Sequence, residues 1–181
     1  IEDPDFETVR FLFRPEGGVR SSMVLAGEAD IGQFLDSDQC TQMKDAEGTD
    51  CVSAASVETL FIRFDTPSPV LGDQRIREAV LHALNVPAII SVIMGDTAMQ
   101  AAQIVGPASN GFDPDLQPVA YDPKAAAALV NAAREDGVPV ESTELFINVR
   151  QAAIPRIAEI AQAAQAMLAE VGLNVLSLIH I

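Results

Sequence analysis

The residues best suited to chemistry in this chain are its titratable side chains, and His82 comes first among them. It follows Glu78 by four residues, the spacing of neighbours on one helical face. An imidazole there could serve as a general base if a serine or cysteine nucleophile lay beside it. No such partner is identifiable, so a solvated surface pair is the preferred interpretation. Catalysis by paired carboxylates stays an alternative, because the chain has 26 acidic residues.

Known motifs for phosphate, metal and nucleophilic sites do not occur in the sequence. Neither glycine-rich phosphate loop is present. Asp113 and Asp115 resemble the opening of a calcium loop, but Gln117 and Pro118 stand where a ligand and a glycine are required. Two cysteines without paired histidines do not make a zinc site. We therefore expect no catalytic residue, no metal and no cofactor.

The two cysteines, Cys40 and Cys51, flank a polar segment. In an oxidising compartment a bond between them would close a small loop and add on the order of 2–3 kcal/mol to the free energy of unfolding. Two unpaired thiols are the alternative. The sequence favours the disulfide but leaves both states open.

The charge of the chain limits the partners it can bind. Its 26 acidic and 11 basic residues give a formal net charge of -15. Such a field repels phosphate backbones and anionic lipid, because binding there requires lysine and arginine to displace counterions. We therefore expect no nucleic acid among the partners. Hydrophobic residues make up 49% of the chain, which is enough for a folded core.

The elements that would position functional residues begin with a predicted strand–helix–strand unit. Residues 9–13 are rich in β-forming side chains, and residues 29–32 begin a second strand. Between them, Ser21 can cap a short helix that runs through Leu25. Residues 36–50 are polar and are predicted to form an exposed loop.

Later segments alternate between strands and helices, which predicts an α/β or mixed α+β architecture. Predicted strands cover residues 58–64 and 145–149, and a third begins at 173–175. Predicted helices begin at Asp73, Asn85, Asp122 and about Pro155, and a long loop covers residues 95–121.

Both ends of the chain are predicted to be cut. Ile1 is not an initiator methionine, and residues 1–4 have neither the basic region nor the apolar region of a signal peptide, so the start of the protein is expected to be missing. Residues 176–181 read as a translated transposon-end adaptor from a DNA sequencing library, to be excluded from fold reasoning. A genuine apolar strand after Val175 is the alternative. Under either interpretation His180 carries no mechanistic role.

The order of several motifs resembles family 5 extracellular solute-binding proteins, the dipeptide/oligopeptide-binding type. Residues 26–31 resemble its Gly-Glu-x-Asp-Ile segment, 60–66 its strand ending in Phe-Asn-Thr, 73–80 its Asp-x-Arg-Val-Arg-x-Ala-Leu helix, and 121–129 its Tyr-Asp-Pro-x-x-Ala-x-x-Leu-Leu helix. Residues 85–90 stand where Asp-Arg-x-x-Ile is usual, and 165–175 match the helix–glycine–strand segment that follows. Asp65 and Asn85 depart from the usual Asn and Asp.

This resemblance implies an incomplete two-lobe, periplasmic-binding-protein-like fold of type II. Residues 1–58 would end the first lobe, 59–66 would form a crossing or hinge strand, and 67–175 would belong to the second lobe. The implied protein is extracytoplasmic, periplasmic in a Gram-negative source, and monomeric. It would bind a small solute, most readily a peptide, and deliver it to the membrane permease of an ABC importer. It would not be an enzyme.

Four residues are candidate ligand contacts within the implied cleft. Gln33 and Phe34 follow the strand at Ile31, at the carboxyl edge where open α/β sheets bind ligands. Arg63 could hold a carboxylate, and Asp65 could receive an ammonium group. The alternatives are ordinary: Phe34 in the core, Arg63 paired across the sheet, and Asp65 in a turn.

Two other functions remain in competition with solute binding. One is a carboxylate-dependent hydrolase on an α/β scaffold, and the other is a small stand-alone structural domain or a non-functional truncated fragment. We expect the isolated chain to aggregate or to remain partly unfolded, because broken sheets leave unpaired edges.

Overall fold

The computed structural model of this chain describes residues 5–54, 56–150 and 154–180. The chain forms two compact units, Ile1–Cys51 and Val52–Ile181. Each unit has its own helices, and each is described separately below. The boundaries that the sequence suggested for the two lobes and the crossing strand stay predictions.

The first unit contains two nine-residue helices, α1 (Gly17–Leu25) and α2 (Ser37–Asp45). Helix α1 ends at Leu25, and Gly27 follows its cap with a φ of 70°, the left-handed conformation that glycine adopts without a steric penalty. Helix α2 begins with a capping box: the Asp36 carboxylate accepts from the Gln39 N–H at 2.9 Å, and the Gln39 amide accepts from the Asp36 N–H at 3.1 Å.

Two predictions for this unit were wrong. The segment 36–50, expected to be a loop, contains α2, because the Asp-x-x-Gln spacing of the capping box outweighs its polar composition. Ser21 does not cap α1: it lies inside the helix, fully buried, and its hydroxyl donates to the Gly18 carbonyl at 3.1 Å.

The structure also joins Cys40, within α2, to Cys51 by a disulfide with a Cα–Cα distance of 5.3 Å.

Three of the predicted strands are not strands in the structure. Residues 9–13, 29–32 and 58–64 belong to no β-ladder among the described residues. A strand exists only when a neighbouring strand accepts and donates its backbone hydrogen bonds, so β-forming composition alone does not suffice. The segments predicted as a strand–helix–strand unit and as a crossing strand therefore have β-forming composition but no sheet partners among the described residues.

The second unit contains the remaining helices and strands. They are α3 (Gln74–Ala83), α4 (Val86–Ala88), which continues as a π-helical turn (Ile89–Ile93), α5 (Pro123–Glu135), β1 (Leu145–Arg150), α6 (Ile157–Glu170) and β2 (Val175–His180). The predicted helices and the strand at 145–149 are thus confirmed, and the chain from residue 95 to 121 contains no helix or strand, as expected.

The caps of these helices are the ones that the sequence indicated. Asp73 accepts a hydrogen bond from the Arg75 N–H at 2.8 Å, and Asn85 accepts from the Ala88 N–H at 3.1 Å. Asp122 accepts from two amides of the first turn of α5. Each cap satisfies N–H groups that have no partner within the helix.

The core of the second unit is built from the apolar stripes of three helices and the sheet. Helix α3 packs against α5 and α6, and α6 packs against both strands. Small residues line the α3–α5 contact, which lets the two helices approach closely. The buried members of these stripes are Ile76, Ala79, Val80 and Ala83 of α3, Ala126, Val130 and Ala133 of α5, and Ile157, Ile160, Ala161, Ala164 and Leu168 of α6.

The two strands form a parallel pair connected through α6. Leu145 lies opposite Val175, and the register continues to Arg150 opposite His180. A parallel pair needs such a crossover connection, and α6 provides it. Gly172, with φ of 90°, makes the turn from α6 towards β2.

The position of the last residues differs from the expectation. Residues 176–180 were to be excluded from the fold as an adaptor scar, but the structure includes them in β2, the alternative weighed above. Leu176, Ser177 and Leu178 lie opposite Phe146, Ile147 and Asn148 of β1 in the parallel register. Ile181 lies outside the described residues, and an adaptor origin for the tail stays a prediction.

Membrane-spanning helices were also sought within the described residues. No single helix there is both long and apolar enough to cross a bilayer; only the bent pair at 74–83 and 86–93 meets the length and composition test, and it does so with its two halves combined.

Candidate functional site

A shallow groove in the second unit lies where the extended segment after Glu58 runs beside residues 101–104. The hydroxyl of Thr59 donates to the carbonyl of Ile104 at 2.8 Å and ties the two segments together. The groove has a volume of about 190 Å³. Its lining is mostly apolar and consists of Thr59, Leu60, Phe61, Ala101, Ala102, Gln103 and Ile104.

The Gln103 side chain holds one wall of this groove in place. Its amide nitrogen donates to the Asp113 carbonyl at 2.7 Å, and its amide oxygen accepts from the Asp113 N–H at 3.2 Å. The Asp113 carboxylate in turn accepts from the Asp115 N–H at 3.0 Å. The aspartates that resembled a calcium loop therefore form a local turn that braces the groove.

Arg63 and Asp65 follow the groove-lining residues along the same extended segment. Both side chains are exposed, and neither makes a hydrogen bond or ion pair with another described residue. Arg63 is therefore not paired across a sheet in this part of the chain. The Asp65 carbonyl accepts from the Ser68 N–H at 3.1 Å, so its backbone takes part in a turn while its carboxylate faces solvent.

Gln33 and Phe34 lie in the first unit, immediately before α2. Both are exposed, and the Phe34 ring is 67% accessible, so it does not belong to a core formed by the described residues. Phe34 has a φ of 56°, a left-handed conformation that is unusual for an aromatic residue. The carbonyls of both residues accept hydrogen bonds from the guanidinium of Arg20.

Sequence reasoning missed Arg20 and the groove wall at 101–104. Arg20 belongs to no motif, and its hydrogen bonds depend on how the chain returns after α1. Ile104 of the groove wall lies 45 residues from its partner Thr59, within a segment that the sequence predicts only as a loop. A contact between such distant segments leaves no periodic signal in the sequence.

His82 makes hydrogen bonds that connect two helices of the second unit. Its Nδ1 lies 2.9 Å from the carbonyl of Ala120, and its own carbonyl accepts from the Asp122 N–H at 2.9 Å. These two bonds attach the start of α5 to α3. No ion pair joins His82 to Glu78 within the part of the chain described here, so the expected surface pair does not form.

The groove is smaller than a complete ligand site. Its volume is below the roughly 300–1,000 Å³ typical of complete ligand pockets, so it can accept a side chain or a short stretch of a ligand. Across residues 5–54, 56–150 and 154–180, no cluster of three or more His, Cys, Asp or Glu residues could hold a metal ion.

Comparison with known families decides the relationship of this chain. Residues 2–176 match the family described as bacterial extracellular solute-binding proteins, family 5 middle, and this match covers nearly the whole sequence. The chain belongs to this family. The resemblance seen in the motif order is thereby confirmed, and the family 5 match ends where the predicted adaptor-like tail begins.

Curated relatives of this family 5 chain are bacterial binding proteins. The dipeptide-binding protein of Escherichia coli (strain K12) is 24% identical over 172 residues, which are 94% of this chain and 32% of the relative. The glutathione-binding protein GsiB of the same organism has the same identity and coverage. A putative ABC transporter peptide-binding protein of Brucella ovis is 27% identical over 78% of this chain and 26% of its own length. This chain thus spans about a third of its curated relatives.

Solved structures confirm the fold class. The oligopeptide-binding protein AppA of Bacillus subtilis, in complex with a nonapeptide, matches with a TM-score of 0.77 at 16% identity over 92% of this chain and 35% of that one. The dipeptide-binding protein of Pseudoalteromonas sp. SM9913, in complex with Met-Leu, matches with a TM-score of 0.72 at 21% identity, over 92% and 33% of the two chains. MoaA of A. tumefaciens R10, in complex with mannopinic acid, matches with a TM-score of 0.75 at 23% identity, over 93% and 33%. The chain therefore has part of a type II periplasmic-binding-protein fold.

Proposed function

We propose that this chain is part of the solute-binding component of an ABC importer. The complete protein would capture a peptide or a similar small solute and deliver it to the permease subunits in the membrane. The observation that carries this proposal is the family 5 match over residues 2–176, supported by fold similarity to binding proteins solved with peptides. The protein would act outside the cytoplasm, in the periplasm of a Gram-negative source, as a monomer.

The proposed mechanism is capture by domain closure, without a chemical step. In a two-lobe binding protein the ligand stabilises the closed form to the extent that it prefers that form over the open one. The permease would then recognise the closed, loaded protein. The protein would therefore not be an enzyme, and its side chains would serve recognition and positioning.

Four residues are proposed to contact the ligand. Arg63 has an exposed guanidinium that could pair with the C-terminal carboxylate of a peptide, and Asp65 has an exposed carboxylate for the N-terminal ammonium group. Gln33 offers an amide for hydrogen bonds to the peptide backbone, and Phe34 offers an exposed ring for an apolar side chain.

A hydrolase remains the second candidate for the complete protein. It would need a pair of titratable groups in a cleft and would convert its substrate. The fate of the ligand separates the two functions, because a binding protein returns its peptide intact and a hydrolase returns fragments.

The test is a binding experiment on the complete protein. Calorimetry and thermal unfolding would be measured with Met-Leu, a nonapeptide, glutathione and mannopinic acid, and with free Met plus Leu as the matched control. At least one peptide should raise the unfolding midpoint and bind with a measurable Kd, and mass spectrometry should recover it intact. Cleaved peptide, or no binding by any member of the panel, would refute the proposal.

A second arm of the same experiment addresses Arg63. Replacing it with methionine should raise the Kd for a free-acid peptide roughly ten- to a hundredfold, the effect of losing one charge-assisted hydrogen bond. The Kd for the C-terminally amidated peptide should not change. Arg10→Met is the control, because Arg10 is exposed and makes no hydrogen bond with another described residue. Equal losses for both peptides would exclude carboxylate recognition by Arg63.

A further inference from the structure

The guanidinium of Arg20 binds four backbone carbonyls in the first unit. Its Nε donates to Gln33 O and its Nη2 to Phe34 O, both at 2.8 Å. Its Nη1 donates to Arg14 O at 2.6 Å and to Pro15 O at 2.7 Å. One side chain on α1 thus joins the segment before the helix to the turn that precedes α2.

These bonds use the fixed geometry of arginine. A guanidinium is planar and presents five N–H groups in two directions, so it can serve two neighbouring carbonyls on one side and two on the other. A lysine ammonium has the same charge, but its three donors sit on one atom and cannot reach both pairs together. The arrangement therefore depends on the fork and not on the charge alone.

The turn held by Arg20 has a conformation that needs support. Phe34 has a φ of 56°, in the left-handed region that most residues with a β-carbon avoid. Its ring is exposed, so packing of that ring among the described residues does not hold the backbone there. The Arg20 hydrogen bond to the Phe34 carbonyl is a direct restraint on this peptide unit.

A close approach at Gly32 adds a second restraint on the same segment. A β-carbon on Gly32 would lie 3.3 Å from Cγ2 of Val24 and 3.4 Å from the carbonyl oxygen of Arg20. The chain before Gln33 therefore runs directly against α1, where only a residue without a side chain fits comfortably. This contact restrains the direction of the backbone as it enters Gln33 and Phe34.

We infer that Arg20 is a positioning residue for ligand recognition: its guanidinium fixes the turn at Gln33–Phe34 and so directs these two side chains to the ligand. This inference rests on the proposed function, because Gln33 and Phe34 are contacts proposed there. It adds that ligand affinity depends on a residue which does not touch the ligand.

The first experiment compares Arg20→Lys with the control Arg10→Lys in the complete protein, using a peptide that the wild type binds. Arg20→Lys should raise the Kd for that peptide about tenfold or more, while Arg10→Lys should leave the Kd unchanged. In a Phe34→Ala background, Arg20→Lys should cause much less additional loss, because its effect acts through the side chain already removed. A purely structural role for Arg20 would instead give additive losses in the double variant.

A second pair of variants keeps Arg20 intact and tests the turn itself. Phe34→Asn and Phe34→Val both remove the ring, but asparagine tolerates positive φ and valine does not. Phe34→Val should therefore bind the peptide more weakly than Phe34→Asn. The inference requires affinity to depend on the left-handed turn at Phe34, and this comparison tests that requirement even if Arg20→Lys fails to fold.

The outcomes separate this inference from the proposed function. Suppose that the wild type binds a peptide. If Arg20→Lys binds that peptide equally well, or if the affinity losses of the Arg20 and Phe34 variants are additive, the positioning role is refuted and solute binding stands. Equal affinities of Phe34→Asn and Phe34→Val refute it as well. If the wild type binds no peptide, the proposed function fails, and the ligand-positioning role fails with it.

Discussion

At the residue scale, Asp73 combines a helix cap with an ion pair. One carboxylate oxygen accepts from the Arg75 N–H, and the other pairs with the Arg75 guanidinium at 2.8 Å. Arg75 also reaches Asp136 at 2.6 Å and the Ala132 carbonyl at 3.2 Å, at the end of α5. The start of α3 is thereby attached to the end of α5, because the Arg75 guanidinium pairs with both Asp73 and Asp136.

This pair makes the second unit sensitive to acid. The hydrogen bond from the Arg75 side chain lowers the pKa of Asp73, although desolvation opposes the shift. A lowered folded-state pKa stabilises the fold above the ordinary aspartate pKa of about 3.9. That contribution is lost as the pH falls through the lowered value. In the complete protein, the stability difference between wild type and Asp73→Asn should be positive at pH 7 and shrink towards zero below about pH 4.

The control for this prediction is Asp73→Ala. Asparagine retains the capping oxygen and loses only the charge, whereas alanine loses both and should cost about 1 kcal/mol more at every pH. Thermal unfolding between about pH 3 and pH 7 measures both variants. A wild type–Asp73→Asn difference that stays constant with pH would contradict the role assigned to the ion pair.

At the element scale, α2 shows how local chemistry stabilises a short helix. A nine-residue helix is only marginally stable in isolation, because the entropy lost in forming the first turn exceeds the free energy gained from a few hydrogen bonds. Here the capping box closes the first turn, and the Cys40–Cys51 bond attaches the helix to the segment that follows it. The Thr49 hydroxyl also donates to the Met43 carbonyl at 2.6 Å, near the end of the helix.

We predict that Cys40 and Cys51 are bonded in the protein as exported. Replacing both with serine should lower the opening free energy of α2 by roughly 2–3 kcal/mol, because the cross-link restricts the open state. Hydrogen exchange of the α2 amides measures this. A reductant should lower the protection of the wild type to that of the double variant and leave the variant unaffected. Alkylation of both thiols in unreduced protein would show that the bond is absent.

At the scale of the whole molecule, many large apolar side chains of the described residues are exposed. Phe13 is 87% exposed and Ile31 is 80% exposed, and both lie in segments with strand-like composition. Other exposed apolar residues of the strand-like segments and of the groove are Val9, Phe11, Leu60, Phe61, Ile62 and Ile104. Apolar surface of this extent marks an interaction surface or an aggregation hazard.

The isolated 181-residue chain should therefore aggregate or remain partly unfolded. Its curated relatives are about three times as long, and its extended apolar segments have no sheet partner among the described residues. Size-exclusion chromatography and a melting curve of the purified chain, compared with the complete protein, test this. A monomer with a reversible two-state melt would contradict the prediction.

The amino-acid sequence by itself determined the elements whose causes are local. Helices α3, α5 and α6 follow from apolar periodicity and from caps such as Asp73 and Asp122, because a helix satisfies the hydrogen bonds of its own backbone. Family membership was also readable, since the order of motifs survives at 24% identity.

Only the tertiary structure decided the features that join distant residues. Whether residues 9–13 or 58–64 are strands depends on partners that local composition does not specify, and the pairing of β2 with β1 extends through a tail that the sequence set aside. The four carbonyls on Arg20 and the groove beside Thr59 likewise bring together segments up to 45 residues apart. Such contacts depend on the path of the folded chain, whereas sequence patterns report only on neighbours.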